Sequence, residues 1–492
     1  MEYTAGSSDI PDKFGEQVMA EENKNLDNMN GGLNLLENVE DTTVTGEAPQ
    51  LFESMSGTSQ AGEKLSTRAV KAEVQDFFRN VFRRAKYVIV WAIIAVLIGL
   101  SVGLAGAAFA FTLTVVTKYR MGHSWLLFGL PFAGVIIVFF YRWWLQKKPD
   151  GGTNNVLESI TAGKDIPIAM APLIFIATTI THLVGGSAGR EGAALQLGGS
   201  IGDFIGRLFK LNRQNNTTLI MCGMSAAFSA LFGTPMAAAV FPIEVAAVGI
   251  MHYDALFPCV ISAVVARYVA SLFGLSAEHF DLGIFPDLAL VPALKVAGIA
   301  VVVGAISIFF CFFLHLTKHQ YKKLIKNEYL RVMVGGTIVL ILSLIVGNQT
   351  YNGTGMSFVE EAFENPVGIW VFLLKIIFTG LTLGCGYRGG EIVPTLFVGA
   401  TLGSALSVIF GLPVGLCAAV GMVGMFCSVT NCPIASLLIS FELFGYEAMP
   451  YYLLAVAITY IVSGYHGLYE AQKIVYSKYK SNFVNLRVGG KK

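Results

Sequence analysis

Long apolar segments separated by short polar ones occupy most of the chain, from about residue 87 to about residue 471. Several of them approach or exceed the roughly 20 residues that an α-helix needs to cross a bilayer. The clearest segments are 87–116, 126–141, 291–316, 332–346, 367–383 and 451–465. Within each half of the chain the segments are interrupted by glycine or proline, which indicates short, broken helices. The pattern therefore predicts an all-α, polytopic membrane protein.

The composition agrees with this pattern and excludes several classes of protein. Of 492 residues, 54% are hydrophobic and only 14% are charged, with a mean hydropathy of +0.61, so a soluble globule would expose too much apolar surface. The net charge is +1 and no basic stripe exists outside short loops, so we expect no nucleic-acid partner. The seven cysteines lie in apolar segments without metal-ligand spacing. We therefore expect no disulfide framework, no metal site and no cofactor.

Two regions with opposite charge precede the first apolar segment. Residues 1–63 carry 13 acidic side chains against two lysines, which predicts a disordered acidic segment. Residues 64–86 are basic, and four apolar residues there share one helical face, which predicts an amphipathic helix at the cytoplasmic membrane surface. These residues are Val74, Phe78, Val81 and Phe82.

The remaining regions are a predicted transmembrane domain, residues 87–471, and a short basic tail, residues 472–492. Further basic clusters lie at 142–148 and 318–326, between apolar segments. Basic residues beside membrane segments are typical of the cytoplasmic side. We therefore expect a multi-pass protein of the cell membrane, in contact with lipid and with both termini in the cytoplasm.

The transmembrane domain repeats itself at an interval of about 200 residues. The segment 152–158 resembles the segment 353–360, 201 positions later. The other recurring residues are Gly198, Gly202, Phe209 and Glu244, which return as Gly399, Gly403, Phe410 and Glu442. Matches in the same order at a nearly constant interval indicate an internal duplication. We place the two repeats at about 87–275 and 291–471.

An acidic side chain lies at membrane depth in the segment 185–192, Gly-Gly-Ser-Ala-Gly-Arg-Glu-Gly. Carboxylates at this depth are costly and usually mark an ion or proton pathway, and glycines let backbone N–H groups approach an anion closely. Broken helices whose N-termini point at the bilayer midplane would add positive dipole ends. Glu191 is therefore either a proton-linked group beside an anion or half of a structural pair with Arg190. Glu244 and Glu442 end equivalent apolar runs, which indicates structural roles at helix ends.

Four motifs occur in order along the chain. They are Gly-Thr-Asn-Asn-Val-Leu-Glu at 152–158, Gly-Arg-Glu-Gly-Ala at 189–193, Gly-Gly-Glu-Ile-Val-Pro at 389–394, and Tyr469 in Gly-Leu-Tyr-Glu. They resemble the Gly-Ser-Gly-Ile-Pro, Gly-Arg-Glu-Gly-Pro and Gly-Gly-X-Phe-X-Pro motifs and the late tyrosine of the CLC family of chloride channels and proton-coupled anion antiporters. The resemblance covers about residues 85–475. It implies two inverted-topology repeats of tilted, interrupted helices and a homodimer with a separate pore in each subunit.

The departures from the family pattern resemble its fluoride-exporting branch. Asn154 replaces the serine that coordinates the anion, and Glu391 occupies a position that is apolar in ordinary chloride members. Val245 replaces the inner proton-handling glutamate of the antiporters, although the family's channels also lack that glutamate. Val393 departs from the fluoride branch, which often has threonine at this position.

The resemblance implies a site assembled from distant parts of the chain. The implied anion ligands are Asn154, Gly389, Gly390, Ile392 and Tyr469, with Glu191 as the proton-linked gate and with Glu391 and Arg190 as proton relay or support. Asn154 can alternatively cap a helix that begins near Val156. Tyr469 can be an interfacial aromatic residue, and Glu391 can be a helix-start carboxylate favoured by the local dipole.

The joint presence of Asn154 and Glu391 favours a fluoride–proton antiporter that exports fluoride from the cytoplasm. A chloride channel or a chloride–proton exchanger of the same family is the alternative. The segment 185–189 also fits Gly-x-Ser-x-Gly, the nucleophile elbow of hydrolases, but the run before Ser187 has a helical pattern where that elbow needs a strand. We therefore expect a transporter of fluoride or chloride and protons, and not an enzyme.

Overall fold

The structure is a computed structural model that describes residues 67–145 and 151–489. The predicted acidic segment 1–63 lies outside the described residues. Within the described residues, six helical segments are long and apolar enough to cross a membrane. They are Val74–Gly122, Ser124–Leu145, Tyr253–Leu272, Leu290–Leu324, Glu328–Val346 and Ile392–Phe410. The prediction of an all-α, multi-pass membrane protein is confirmed.

The described part of the chain forms sixteen α-helices, eight in each repeat. The first eight are α1 (Thr67–Gly122), α2 (Leu130–Leu145), α3 (Thr153–Ala162), α4 (Met170–Leu183), α5 (Glu191–Leu208), α6 (Arg213–Phe232), α7 (Pro235–Val245) and α8 (Leu256–Leu272). The second eight are α9 (Leu290–Leu324), α10 (Glu328–Val346), α11 (Met356–Glu364), α12 (Trp370–Cys385), α13 (Ile392–Phe410), α14 (Val414–Thr430), α15 (Pro433–Phe444) and α16 (Met449–Val462). Corresponding helices such as α5 and α13 begin 201 residues apart, so the duplication in the sequence is a duplication of structure.

Glycine and proline set the ends of the short helices. The helix α6 ends at Gly233, whose φ of 79° is left-handed, and α13 ends in the same way at Gly411. Proline begins α7 at Pro235 and α15 at Pro433, where its missing N–H leaves no helical bond unmade. The helices are therefore stopped locally, by residue types that are visible in the sequence.

The recurring glycines allow pairs of helices to pack with their backbones in contact. A Cβ atom on Gly198 of α5 would collide with the carbonyl oxygen of Gly223 on α6. The second repeat has the same arrangement, in which a Cβ on Gly399 of α13 would collide with the carbonyl oxygen of Gly421 on α14. No larger residue fits at these positions, which accounts for the glycine part of the sequence repeat.

The N-termini of α5 and α13 converge at the boundary between the repeats. The N–H of Gly189 donates to the carbonyl of Gly390 at 2.7 Å, and the N–H of Gly390 donates back to Gly189 at 2.8 Å. The helix α5 begins two residues after Gly189, at Glu191, and α13 begins two residues after Gly390, at Ile392. The antiparallel pair thus brings two positive helix ends together.

Two glutamates join the repeats in a reciprocal way. Glu244, at the end of α7, accepts hydrogen bonds from the N–H groups of Ile434 and Ala435 at 3.0 and 2.8 Å. Glu442, near the end of α15, accepts hydrogen bonds from the N–H groups of Met236 and Ala237 at 2.8 and 2.9 Å. Each carboxylate satisfies the first turn of the corresponding helix in the other repeat. Glu244 and Glu442 therefore have the structural role at helix ends that the sequence indicates.

The tail contains a small sheet that the sequence reasoning did not predict. Strand β2 (Lys473–Tyr476) pairs antiparallel with β3 (Phe483–Arg487) and parallel with β1 (Ala247–Val248), which follows α7. Lys478, in the turn between β2 and β3, donates hydrogen bonds to Asn431 Oδ1 and to the Tyr460 carbonyl. Burial lowers the pKa of Lys478 to about 8. The tail is thus attached to the helices of both repeats.

The predicted boundary near residue 86 falls within α1. The described residues divide after Tyr87 into two units, and α1 runs through this division. All four residues of the predicted amphipathic face are exposed, Phe78 by 64% and Phe82 by 74%. Their contact with the membrane surface stays a prediction.

We predict that Glu244→Ala and Glu442→Ala each destabilise the fold. Each substitution leaves two backbone N–H groups at a helix start without a partner, which costs about 1–3 kcal/mol per unsatisfied group. Thermal unfolding of the purified protein in detergent measures this loss. Glu360→Ala is the matched control, because Glu360 also has a counterpart in the first repeat, Glu158, but is exposed. A melting temperature for either variant equal to that of the control contradicts the prediction.

Candidate functional site

A cavity of about 120 Å³ lies beside the start of α3 and the segment that leads into α13. Residues from both repeats and from the loop after α16 line it. The lining residues with polar side chains include Asn154, Gln196, His315, Lys318, Arg388, Glu391 and Tyr469, and Gly389 lies among them. Four of the residues that the sequence motifs single out, Asn154, Gly389, Glu391 and Tyr469, are therefore together at one cavity.

Asn154 lies in the first turn of α3 and lines the cavity. Its Oδ1 accepts a hydrogen bond from the N–H of Ala471 at 3.0 Å. Since the oxygen is engaged, the two N–H donors of Nδ2 remain for a ligand. The helix begins at Thr153 and its N-cap position is Gly152, so Asn154 is not the cap residue, and its side-chain oxygen binds Ala471 and not the start of α3. The interpretation of Asn154 as a helix cap is therefore wrong.

Tyr469 brings a buried hydroxyl to the same cavity. The residue is 2% exposed, and its hydroxyl has no hydrogen-bond partner among residues 67–145 and 151–489. An unsatisfied buried hydroxyl costs about 1–3 kcal/mol, so a ligand that accepts its hydrogen bond is favoured. A tyrosine at the membrane interface has its polar end in water, whereas the hydroxyl of Tyr469 is buried.

Glu391 lies next to both the cavity and the start of α5. It occupies the N-cap position of α13, as the helix-start alternative expects, but its side chain makes no capping hydrogen bond. Its Oε2 is buried and lacks a partner in the described parts of the chain. A Cβ atom on Gly192 would lie 3.1 Å from this oxygen. The carboxyl group is therefore available to a ligand or a proton.

Two cations also line the cavity, and sequence reasoning assigned neither to the site. Lys318 Nζ lies 3.7 Å from the carboxylate of Glu470, and the Arg388 guanidinium lies 4.4 Å from the centroid of the Tyr141 ring. Against these two charges the lining contains one carboxylate, that of Glu391. The resulting potential favours an anion. Arg388 could have been found from its position directly before Gly389.

Gln196 is a further cavity residue that sequence reasoning missed. It is 3% exposed, and its Nε2 donates to the Gly192 carbonyl at 3.2 Å and to Thr153 Oγ1 at 3.3 Å. Its Oε1 is buried and has no partner among the residues described. Gln196 thus joins the starts of α3 and α5. Its sequence signal is weak, a single amide five residues after Glu191.

Glu191 begins α5 and is fully buried, and it is not among the residues that line the cavity. Arg190 Nε donates to its Oε1 at 3.2 Å, and the backbone N–H of Arg190 donates to its Oε2 at 3.2 Å. Arg190 also pairs with Glu278, at 3.0 Å. The ion pair of Arg190 and Glu191, which is the alternative to a proton-linked role of Glu191, is therefore present in this conformation. The carboxylate nevertheless lies at the helix end that meets α13.

The other two implied ligands, Gly390 and Ile392, do not line the cavity. Gly390 exchanges two backbone hydrogen bonds with Gly189, and Ile392 is fully buried in the first turn of α13. Both residues fix the position of the α13 N-terminus. Of the three backbone ligands that the resemblance implies, Gly389 alone is part of the cavity lining.

Ser187 does not have the surroundings of a catalytic nucleophile. It follows the helix α4 and not a strand. Its hydroxyl is 3.0 Å from Thr379 Oγ1, and its N–H donates to Thr382 Oγ1 at 3.2 Å. A nucleophile elbow requires a strand before the serine and a base within hydrogen-bond reach. The geometry does not match the hydrolase alternative.

The sequence is similar to those of known anion channels and transporters. Residues 133–464 match the family described as voltage gated chloride channel. A chloride/fluoride channel protein of Pseudomonas syringae pv. tomato is 36% identical over 400 residues, which cover 80% of this chain and 88% of that protein. The H(+)/Cl(-) exchange transporter ClcA of Salmonella typhi is 25% identical over 411 residues, which cover 77% of this chain and 86% of that protein.

Solved structures have the same arrangement of helices. The crystal structure of a CLC-type fluoride/proton antiporter matches with a TM-score of 0.75 at 31% identity, covering 78% of this chain and 98% of that one. The structure of a slow cyanobacterial Cl-/H+ antiporter matches with a TM-score of 0.66 at 20% identity, covering 76% and 94%. From the family match, the relatives and the shared fold, we conclude that this chain belongs to the CLC family of voltage-gated chloride channels and anion transporters.

Proposed function

We propose that the protein is a fluoride–proton antiporter that exports fluoride from the cytoplasm. The observation that carries the proposal is the cavity at which Asn154 and Tyr469 offer unengaged donors beside the carboxyl group of Glu391. Fluoride is small and strongly hydrated, so a site that removes its water must supply several strong donors. An asparagine amide supplies two N–H donors where a serine hydroxyl supplies one.

Glu191 links the anion to the proton in this mechanism. In the described conformation Arg190 holds its carboxylate. When the carboxylate leaves Arg190, it competes with a halide for the N–H groups at the starts of α5 and α13, because both are anions at the same positive helix ends. Protonation removes the charge of Glu191 and leaves these groups to the halide. Occupancy by the anion and occupancy by the proton are thereby coupled.

Glu391 is the second proton-handling group in the proposal. When protonated, its O–H can donate to fluoride, and its Oε2 lies beside Gly192, the residue after Glu191. The position of the antiporters' inner glutamate holds Val245, which is fully buried and whose carbonyl accepts from Gln472 Nε2. Glu244 is engaged with the first turn of α15. In the proposal Glu391 therefore passes the proton between the cavity and Glu191.

The printed names of the relatives include both anions: one names fluoride alone, one names chloride and fluoride together, and others name chloride. The Pseudomonas syringae protein is named a chloride/fluoride channel protein, and the solved structure at 31% identity is of a fluoride/proton antiporter. ClcA, named an H(+)/Cl(-) exchange transporter, is more distant at 25% identity. A chloride channel or chloride–proton exchanger is thus the second candidate, favoured by that similarity and by Val393.

The proposed assembly is a homodimer with one pathway in each subunit and with both termini in the cytoplasm, as the basic segments at 64–86 and 472–492 indicate. Hydrogen fluoride crosses membranes as a neutral acid and dissociates in a less acidic cytoplasm, which retains fluoride there. A proton-driven exporter reverses this accumulation.

Reconstituted liposomes test the function directly. Fluoride efflux from loaded vesicles should accelerate when the outside is made acidic and should be accompanied by proton entry, whereas chloride efflux should be slower. A fluoride electrode, a chloride electrode and an internal pH dye measure the three fluxes. Efflux that ignores the pH gradient, with no proton movement, would identify a channel instead. Equal rates for the two anions would remove fluoride from the proposal.

We predict that Glu191→Gln abolishes proton coupling, because a neutral amide cannot titrate. The ratio of protons to fluoride in the liposome assay should fall from a fixed value to near zero. Glu278→Gln is the matched control, since Glu278 also pairs with Arg190 but does not begin a helix. Proton movement in Glu191→Gln equal to that of the parent protein would exclude Glu191 from the mechanism.

We predict that Asn154→Ser reduces the preference for fluoride over chloride by roughly tenfold, the effect of losing one hydrogen bond to a charged ligand. Initial efflux rates of the two anions give this ratio. Asn155→Ser is the control, because Asn155 is adjacent in α3 but does not line the cavity. An unchanged ratio would show that Asn154 positions the Ala471 backbone and does not select the ion.

A further inference from the structure

A four-residue turn after α16 reaches the cavity with its first residue, Tyr469, and closes at Gln472. The N–H of Gln472 donates to the carbonyl of Tyr469 at 3.1 Å. Between them, the N–H of Ala471 donates to Asn154 Oδ1 at 3.0 Å. The turn therefore contains one residue of the cavity lining and binds another, Asn154 of α3. A displacement of the turn would reach both.

The side chain of Gln472 attaches this turn to both repeats. It is fully buried, and its Nε2 donates to the carbonyl of Val245 at 3.0 Å and to the carbonyl of Thr430 at 2.7 Å. Val245 is the last residue of α7, and Thr430 is the last residue of α14. A helix supplies no N–H to the carbonyls of its last turn. One amide therefore binds a helix end in each repeat.

The oxygen of the Gln472 amide is engaged as well. It accepts from Asn431 Nδ2 at 2.9 Å, and Asn431 directly follows α14 with a left-handed φ of 59°. Both N–H donors and the oxygen of Gln472 are thus bound to protein groups. Gln472 is also not part of the cavity lining. Its side chain therefore acts on an anion only by positioning other residues.

The backbone partners determine which way the Asn154 amide is turned. A backbone N–H can only donate, so the Asn154 atom that meets the N–H of Ala471 is the oxygen. The opposite orientation would place two N–H donors against each other and would leave the oxygen as the end that remains for a ligand. An amide oxygen repels an anion, whereas an amide N–H₂ binds it. The bond from Ala471 thus selects the orientation that suits an anion.

We propose that Gln472 is a positioning residue for anion selectivity, because it holds the turn in the place where the N–H of Ala471 orients the Asn154 amide. The proposal rests on the proposed function, since it takes Asn154 to be a ligand of the transported anion. It adds a cause for the state of that ligand. The donors of Asn154 depend on a residue more than 300 positions later in the chain, which itself is bound to the ends of α7 and α14.

Neighbouring contacts hold the chain on either side of the turn without the side chain of Gln472. Before the turn, the N–H of Leu468 donates to the carbonyl of Val429 at 2.8 Å. After the turn, β2 pairs with β1 through Lys473 and Ala247. A variant of Gln472 should therefore keep the tail attached. Its effect should be a local displacement of the turn, which frees the Asn154 amide to rotate.

Initial efflux rates of fluoride and chloride from liposomes that contain the full-length protein test the proposal. Gln472→Met should lower the ratio of the fluoride rate to the chloride rate by roughly tenfold, the effect of losing one hydrogen bond to a charged ligand. Lys478→Met is the control, because Lys478 also joins the tail to the helices, through Asn431 and Tyr460, but its partners lie outside the turn. This control should keep the parent ratio.

An unchanged ratio in Gln472→Met, together with a lowered melting temperature, would show that Gln472 is only a structural contact and would overturn the proposal. An equal change of the ratio in Lys478→Met would overturn it too, because any loosening of the tail would then suffice.

A double variant tests whether Gln472 acts through Asn154. Serine has no amide to orient, so Asn154→Ser combined with Gln472→Met should have the same ratio as Asn154→Ser alone. Residues that act through one contact give effects that do not add, whereas independent residues give effects that do. If the two losses multiply, Gln472 acts on selectivity by another route, and the proposal is wrong.

A milder variant carries the test if Gln472→Met does not fold. Asn431→Gly keeps the left-handed end of α14, which glycine favours, and removes the donor to Gln472 Oε1. It should lower the ratio in the same direction by a smaller factor. The parent ratio in this variant would contradict the proposal.

The same measurements separate this proposal from the proposed function. The ratio of the two anion rates does not require proton coupling, so efflux that ignores the pH gradient would refute the antiporter and leave the test of Gln472 intact. If the parent protein does not prefer fluoride, the proposed function fails. A ratio that changes in Gln472→Met and not in Lys478→Met would still support the positioning role.

Discussion

Backbone N–H groups at the starts of helices that begin inside the membrane are the constraint on which the rest of the structure depends. The bilayer offers no water to these groups, so the protein must supply a partner for each. Glu244 and Glu442 supply it for α15 and α7. At α5 and α13 the Gly189–Gly390 pair engages the segments before the helices, and the proposed function gives the helix ends themselves to Glu191 or to an anion.

The buried carboxylates divide in the same way, into those that bind the starts of helices in the other repeat and those that do not. Carboxylates that hold helix starts, Glu244 and Glu442, have both oxygens engaged by backbone N–H groups. Glu391 has a buried oxygen without a described partner, and Glu191 is held by one arginine that also serves Glu278. The proposed function assigns proton coupling to Glu191 and Glu391, whose carboxylates do not bind the first turn of a helix in the other repeat.

The sequence predicts the features that depend on residue type and spacing, and misses those that depend on distant contacts. Apolar segments, the repeat and the helix ends at glycine and proline are local properties, so the all-α, two-repeat fold could be predicted. The bond from Ala471 to Asn154 joins residues 317 positions apart, and it is what excludes the capping role. Lys375 is a single cation in an apolar run, and nothing in the sequence indicates that it lies near Arg120 at Gly353. The tail sheet likewise depends on pairing with β1, in a different repeat.

The central claim is that one carboxylic acid and one halide exclude each other at the α5 and α13 helix ends. The proton uptake that accompanies fluoride binding measures this exclusion most directly. Calorimetry in two buffers with different ionisation heats gives this number at pH values where fluoride itself stays ionised. We predict that binding takes up protons and that the fluoride affinity rises as the pH falls. Binding heats that do not depend on the buffer, together with an affinity that does not change with pH, would contradict it.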